Sequence, residues 1–339
     1  MCEELSLAVD HHMHTMDVMH SVDDRHGLVC LLHEKPLAGV NGSGKHNNWS
    51  INYGDVNLFN PGNDPHQNAI FLTMLCSVIK AIDEHSDMLR MTVASASNDH
   101  RLGANEAPPA IISIYLGDQL GDVIEQLEKG VPKSSRAAGH MKVGIDMLPP
   151  LPMDATDRNR TSPFAFTGNK FEFRAPGASQ SCAGPMTILN TIVAEAADWI
   201  SERLEKTSKK DFNTELQKIL QSIIVNHKRI LFNGDGYTDE WKLEAARRGL
   251  FIANDTMPAL KLPTAEKNLK LFGKYGVYSS TELYSRYEIF MEEYHRRIRI
   301  EGEISLDIAR NIGLPVLTKE YKNVVDALKS ASDTGITAG

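Results

Sequence analysis

The segment Lys35-Pro-Leu-Ala-Gly-Val-Asn-Gly-Ser-Gly-Lys-His-Asn-Asn-Trp-Ser50 carries the densest chemical signal in the chain. Glycines without side chains let backbone N–H groups come close to an anion. Gly39 to Lys45 fits the first seven positions of a phosphate-binding P-loop, G-x-x-x-x-G-K. The eighth residue is His46, where a P-loop needs the Ser or Thr hydroxyl that binds Mg²⁺, and Asn47 to Ser50 reads as extended chain rather than a phosphate-capping helix. A P-loop is therefore not expected. His46 is better read as a divalent-metal ligand in its own right, set against the plainer reading of a histidine hydrogen-bonded in a tight loop. Lys170, Glu172 and Arg174 alternate, so a strand would put all three on one face. Two cations and a carboxylate make poor core and a good wall for a site; the plain alternative is the exposed face of an edge strand. Arg101 and Glu106 lie in the stretch Ala96 to Pro109, and Arg160 lies in Asp157-Arg-Asn-Arg-Thr-Ser-Pro163. A guanidinium binds phosphate oxygens through a fixed fork, and a carboxylate on a glycine-containing loop can close over a reactive intermediate and exclude water. Taken singly, Glu106 is a surface carboxylate and the Arg-Asn-Arg loop a solvated turn.

The elements that must hold these residues change in texture near residue 175, from short strands, helices and polar loops to mostly helix. Leu7 to Arg25 has apolar residues at helical spacing, stopped by His26-Gly27. Leu28 to Leu32 is a short apolar run of the kind that forms a buried strand. Lys35 to Asp55 is expected as a long polar loop, Asn68 to Ser95 as a long, mainly buried helix, Ala110 to Leu116 as a strand, and Asp118 to Lys129 as an amphipathic helix. Gly130 to Asp157, rich in Pro, Gly, Met and Lys, is expected as loop, and Phe164 to Phe166 and Lys170 to Arg174 as strands. Helices follow from Met186 to Leu204, Asp211 to Val225, Asp239 to Arg248 with Thr238 as its cap, around Ala265 to Phe272, and a long charged one from Ser280 to about Asn311.

The chain has 339 residues, 42% apolar and 24% charged, enough to bury a real core. Its 36 basic and 44 acidic residues leave a net charge of −8, which argues against sequence-independent nucleic-acid binding but leaves room for a local basic pocket. No apolar run is long enough to span a membrane, and the acidic N-terminus is unlike a signal peptide, so no membrane partner and a cytoplasmic setting are expected. Cys2, Cys30, Cys76 and Cys182 are scattered, as reduced thiols rather than zinc ligands or a disulfide framework would be.

Four blocks together closely resemble the glutamine synthetase family: Lys35-Pro with Asn41-Gly-Ser-Gly…His46…Ser50, then Ala96 to Pro109, Asp157 to Pro163, and Asn169-Lys-Phe-Glu-Phe-Arg-Ala-Pro176. The inserted Lys45 and the Asn47-Asn48-Trp49 tail are similar to its type III branch, as are Asn190 to Ala197, Phe232 to Trp241 and Ser285 to Glu288. The resemblance implies an α+β fold. Residues 1–198 would be the C-terminal portion of the catalytic domain, with antiparallel strands and helices, and residues 199–339 a helical C-terminal extension. It implies an ATP-dependent ligase that makes glutamine from glutamate and ammonia through γ-glutamyl phosphate, with Mg²⁺ or Mn²⁺, in a homo-oligomer. Residue by residue, it implies Glu106 and Arg101 as catalytic groups, Asn48, Ser50, Arg160 and Lys170 at ATP, Asn41, Gly42, Arg101 and Arg174 at glutamate, and His46 with Glu172 on one metal. The similarity starts at the helix ahead of Lys35-Pro36, so the family's N-terminal β-grasp domain and several metal-binding glutamates are expected to be missing. A non-catalytic remnant serving in assembly or binding is the alternative.

Overall fold

The computed structural model describes residues 3–62, 64–104, 106–130, 140–141, 151–152 and 161–335, with the backbone alone at 140–141 and 151–152. In chain order the elements are α1 (Leu5–Arg25), β1 (Asn47–Trp49), β2 (Asn52–Tyr53), β3 (Val56–Asn57), α2 (Ala69–Thr92), α3 (Ala96–Asp99), β4 (Ile114–Tyr115), α4 (Gly117–Lys129), β5 (His140–Met141), β6 (Leu151–Pro152), β7 (Phe164–Phe166) and β8 (Phe171–Phe173). Helices follow: α5 (Ala183–Leu204), α6 (Phe212–His227), α7 (Asp239–Arg247), α8 (Thr256–Leu260), α9 (Glu266–Lys274), α10 (Ser280–Ile308) and α11 (Leu314–Asp333). Two compact units divide the chain, Met1–Tyr287 and Glu288–Gly339.

In the first unit a small four-stranded sheet runs in the order β1-β8-β7-β4. β1–β8 and β7–β8 are antiparallel, but β4 pairs with β7 in parallel. The sheet is therefore mixed rather than antiparallel throughout, as an α+β fold allows. The register separates its two faces, because side chains alternate along each strand. Trp49, Phe164, Phe166, Phe171 and Phe173 fall on one face; Asn48, Ala165 and Glu172 fall on the other. The aromatic face is buried: the Phe164 and Phe171 rings stack at 4.9 Å, Phe59 meets Phe171 edge-on at 5.2 Å, and Phe71 of α2 joins Phe166 at 5.9 Å. The sheet thus rests its apolar side on α2 and turns its polar side to the site.

The central helix is α2, packed against α5 and α6. Asn68 caps it by accepting the Phe71 N–H at 3.0 Å. Its backbone kinks at His85 (φ −128°). The buried charges near the kink find partners: Asp83 accepts from His227 Nδ1 at 2.9 Å and Arg229 Nε at 2.8 Å, Lys267 lies 2.6 Å from Asp87, and Arg90 donates to the Ala253 carbonyl and to Asp99. Cys30, Cys76 and Cys182 are free thiols. No helix among the described residues is long and apolar enough to cross a membrane.

Several elements differ from their sequence reading. Leu28 to Leu32 forms no strand, and Leu28, Val29 and Leu31 are 61%, 80% and 68% exposed. Among the described residues no strand lies beside it to take its backbone groups, so its apolarity alone does not order it. The strand expected over Ala110 to Leu116 shrinks to Ile114–Tyr115. Short strands β1 and β2 interrupt the loop expected over Lys35 to Asp55. The loop expected over Gly130 to Asp157 lies largely outside the described residues, apart from the antiparallel pair β5–β6.

In the second unit α10 continues through one π-helical turn, Ala309–Gly313, into α11. Pro315 stands just beyond that turn and has no N–H to give, so the register changes where a ladder bond is already missing.

Candidate active site

β1 and β8 place the first ligand pair. Asn47, Asn48 and Trp49 oppose Phe173, Glu172 and Phe171. Glu172 thus sits mid-strand with its side chain on the polar face, and His46 enters β1 just ahead of Asn47. The His46 Nδ1 lies 2.9 Å from Glu172 Oε1, with the imidazole half-exposed and the carboxylate largely buried. Two residues 126 positions apart in sequence are thus brought to the separation of adjacent ligands on one divalent ion. β1 follows the glycine loop directly, so the Gly39 to Lys45 segment leads into a strand and not into a helix N-terminus. That removes the P-loop geometry.

The cavity over this pair has a volume of about 430 Å³ and is lined by Asn41, Gly42, Ser43, Gly44, His46, Arg101, Glu106, Ala107, Glu172 and Arg174. Seven of the residues singled out from the sequence are therefore gathered in one place: Asn41, Gly42, His46, Arg101, Glu106, Glu172 and Arg174. Glu106 adopts φ +66°, the one non-glycine residue with a left-handed backbone among the described residues. Such a conformation costs of order 1–3 kcal/mol and persists where surroundings fix it. Here Asn41 Nδ2 donates to Glu106 Oε2 at 3.1 Å, tying the Glu106 loop to the glycine loop across the cavity mouth.

Arg101 is 4% exposed and heavily engaged. Its Nη1 donates to Asn98 Oδ1 (3.2 Å) and to the carbonyls of Ala175 (3.1 Å) and Pro176 (3.2 Å), and its Nη2 to the carbonyl of Arg174 (3.1 Å). Much of its fork therefore clamps the end of β8, which a pure ligand-gripping role would not require. Burial pushes its pKa down to about 10, with Arg174 adding to the shift and Glu34 opposing it. It remains a cation at neutral pH.

Asn48, Ser50 and Lys170 do not line this cavity. Asn48 is exposed directly across from Glu172. Ser50 and Lys170 lie one residue beyond the ends of β1 and β8, outside the strands. Arg160 lies outside the described residues.

Glu34 escaped the sequence reading. It is fully buried beside the glycine loop, its Oε1 accepting from the Ser179 N–H (2.9 Å) and Oγ (2.6 Å), its carbonyl from the Ser43 N–H (2.8 Å). Its only signal was position: a charge between an apolar run and Lys35-Pro36. A second group able to hold a metal ion, Glu84, His85 and Glu195, stands at the α2 kink. There Lys80 already neutralises Glu84 at 2.5 Å, and His85 Nε2 bonds Glu195 at 2.7 Å.

Two family descriptions match the chain. The glutamine synthetase catalytic domain matches residues 1–113, and the glutamine synthetase C-terminal domain matches residues 215–332. The type-3 glutamine synthetase of Dictyostelium discoideum is 48% identical over 330 residues, covering 97% of this chain and 45% of that protein. Glutamine synthetases of Butyrivibrio fibrisolvens and Bacteroides fragilis (strain YCH46) are 43% and 40% identical, covering 98% and 96% of this chain and 48% and 46% of their own lengths. The chain spans about half the length of these relatives. Over nearly all of its own length, from the glycine-rich segment to the long terminal helices, it belongs to the glutamine synthetase family.

Proposed function

We propose that this chain takes part in joining ammonia to glutamate at the expense of ATP, through the cavity bounded by His46, Arg101, Glu106, Glu172 and Arg174. The carrying observation is that these residues, 128 positions apart at the extremes, share one cavity. A γ-carboxylate oxygen of glutamate attacks the γ-phosphorus of ATP, releasing ADP and forming an acyl phosphate. Ammonia then attacks the acyl carbon, phosphate leaves, and glutamine results. Arg174 holds the substrate α-carboxylate, with Asn41 and Gly42 alongside. Glu106, on its strained loop, covers the acyl phosphate against water and takes the proton that ammonium gives up. Asn48, Ser50, Lys170 and Arg160 serve the nucleotide, and residues 1–198 form the catalytic portion with 199–339 as extension.

His46 Nδ1 and Glu172 Oε1 fit a hard divalent ion, Mg²⁺ or Mn²⁺, as one imidazole and one carboxylate donor. Such an ion neutralises phosphate charge during transfer. Within a homo-oligomer, other donors would come from outside this chain.

A second reading, nucleotide binding without turnover, is favoured by one observation: among the described residues lining the cavity, His46 and Glu172 are the one imidazole–carboxylate pair brought together. An isotope-traced glutamine assay with ATP, Mg²⁺, glutamate and ammonia decides between the two. Glutamine formation that falls at least a hundredfold in Glu106→Ala and in His46→Ala supports ligation. MgATP binding with no glutamine formed supports binding alone.

A further inference from the structure

Gly44 and Gly177 face each other as antiparallel bridge partners. Directly opposed side chains in such a pair share a face, with their Cβ positions roughly 5 Å apart. Neither glycine has a side chain, and both places are filled from elsewhere. A methyl group on Gly44 would overlap the Nη2 of Arg101, and one on Gly177 would overlap the Oε1 of Glu34. The Arg101 guanidinium and the Glu34 carboxylate therefore occupy the two Cβ places over the bridge, where a pair of ordinary side chains would exclude them; they make no direct ion pair, and the attraction between them acts through space. Gly42 completes the slot: its missing methyl would sit 2.6 Å from the Glu34 carbonyl and 3.0 Å from Arg101 Cγ.

The charge arithmetic explains why the slot needs a carboxylate. The acceptors bonded to Arg101 are neutral: three backbone carbonyls and the Asn98 amide. Arg174 adds a second cation close by. A buried cation without a counter-charge is strongly destabilising, and Glu34, with no exposed surface, is a buried carboxylate whose charge acts on Arg101. Lys45, from the same glycine loop, feels Glu34 as well.

We propose that Glu34 is a positioning residue of this site: its carboxylate counters the charge of the Arg101 guanidinium across the Gly44–Gly177 bridge and thereby helps to fix the Asn41 to Gly44 loop against the end of β8. The functional part of this assignment rests on the nucleotide-binding reading above. Glu34 does not line the cavity. It acts through Arg101 and through the loop whose Ser43 N–H bonds to its carbonyl and whose Lys45 N–H bonds to the Pro176 carbonyl.

The test combines a double-mutant cycle with amide exchange on the full chain. Glu34→Gln, Arg101→Gln and the double variant are compared by urea unfolding, and exchange is read at the Ser43 and Lys45 amides. The expected outcome is a double variant no less stable than Arg101→Gln alone, within a factor of about three in the unfolding constant, with exchange at both amides at least tenfold faster in Glu34→Gln. Glu34→Asp, which keeps the charge, should recover part of that protection; a purely steric role would not follow the charge. MgATP affinity should fall about tenfold in Glu34→Gln and partly return in Glu34→Asp. Fully additive losses, or unchanged exchange in Glu34→Gln, overturn the proposal. Should Glu34→Gln not fold, Gly177→Ala, which crowds the carboxylate but keeps both charges, must speed the same exchange, and unchanged exchange there overturns it too. Failure of the unmodified chain to bind MgATP would defeat the ligase reading instead; the cycle and the exchange need no nucleotide and still decide the role of Glu34.

Discussion

The residue with the most to reveal by itself is Glu106. Its φ of +66° is a conformation that glycine adopts freely and glutamate does not. Glu106→Gly should therefore stabilise the folded chain by about 1 kcal/mol, read as a raised urea midpoint, while removing any glutamine formation. Gain of both stability and activity would deny the carboxylate its role. Glu34 makes a prediction in pH. Burial raises its carboxyl pKa, but hydrogen bonds from Ser179 and Ser97 outweigh that and hold it below the ordinary value of 4.5. The folded state thus favours the ionised form. Its contribution to stability is complete above about pH 4.5 and is lost as pH falls through the lower folded value. Glu34→Gln should flatten the acid limb of the stability curve; an unaltered limb would contradict the assignment. At this scale the sequence was readable unevenly. His46, Glu172 and Arg174 were found because the family pattern names them, and the register of β1 on β8 then supplies the reason they meet. Glu34 was not found, because a glutamate next to a Lys-Pro pair looks solvated until Gly177, far away in sequence, makes room for it.

At the scale of elements, the aromatic face of the sheet carries the site's rigidity. Phe171 is fully buried and touches Phe59, Phe164 and Phe166 through its ring, and Glu172 is its neighbour on the opposite face. Phe171→Ala should cost about 3–5 kcal/mol of stability and should loosen the His46–Glu172 pair with it. A loss below about 1 kcal/mol in urea unfolding would mean that the sheet is held some other way. The helices were legible because their signals are local: the apolar run of α2 with Asn68 before it, and Thr238 ahead of α7, which indeed accepts the Trp241 N–H at 3.2 Å. The strands were less so. An apolar run such as Leu28 to Leu32 says that a segment would gain from burial, but a strand also needs a neighbour, and pairing partners are remote in sequence. The parallel placement of β4 on β7 was hidden for the same reason.

For the whole molecule, an acidic chain of net charge −8 sets two guanidinium groups, Arg101 and Arg174, in one cavity beside a His–Glu pair. Glu106 and Glu172 line the same cavity, so cations and carboxylates are set together there, the mixed charge that an anionic substrate and its divalent ion would meet, and that convergence is the central physical claim. Calorimetric titration of the full chain with ATP, with and without Mg²⁺, in the unmodified protein and in Glu172→Ala, tests it most directly. The account predicts Mg²⁺-dependent binding that weakens at least tenfold in Glu172→Ala and loses its dependence on Mg²⁺. Absence of binding to the unmodified chain, or binding indifferent to both the ion and the carboxylate, would contradict it.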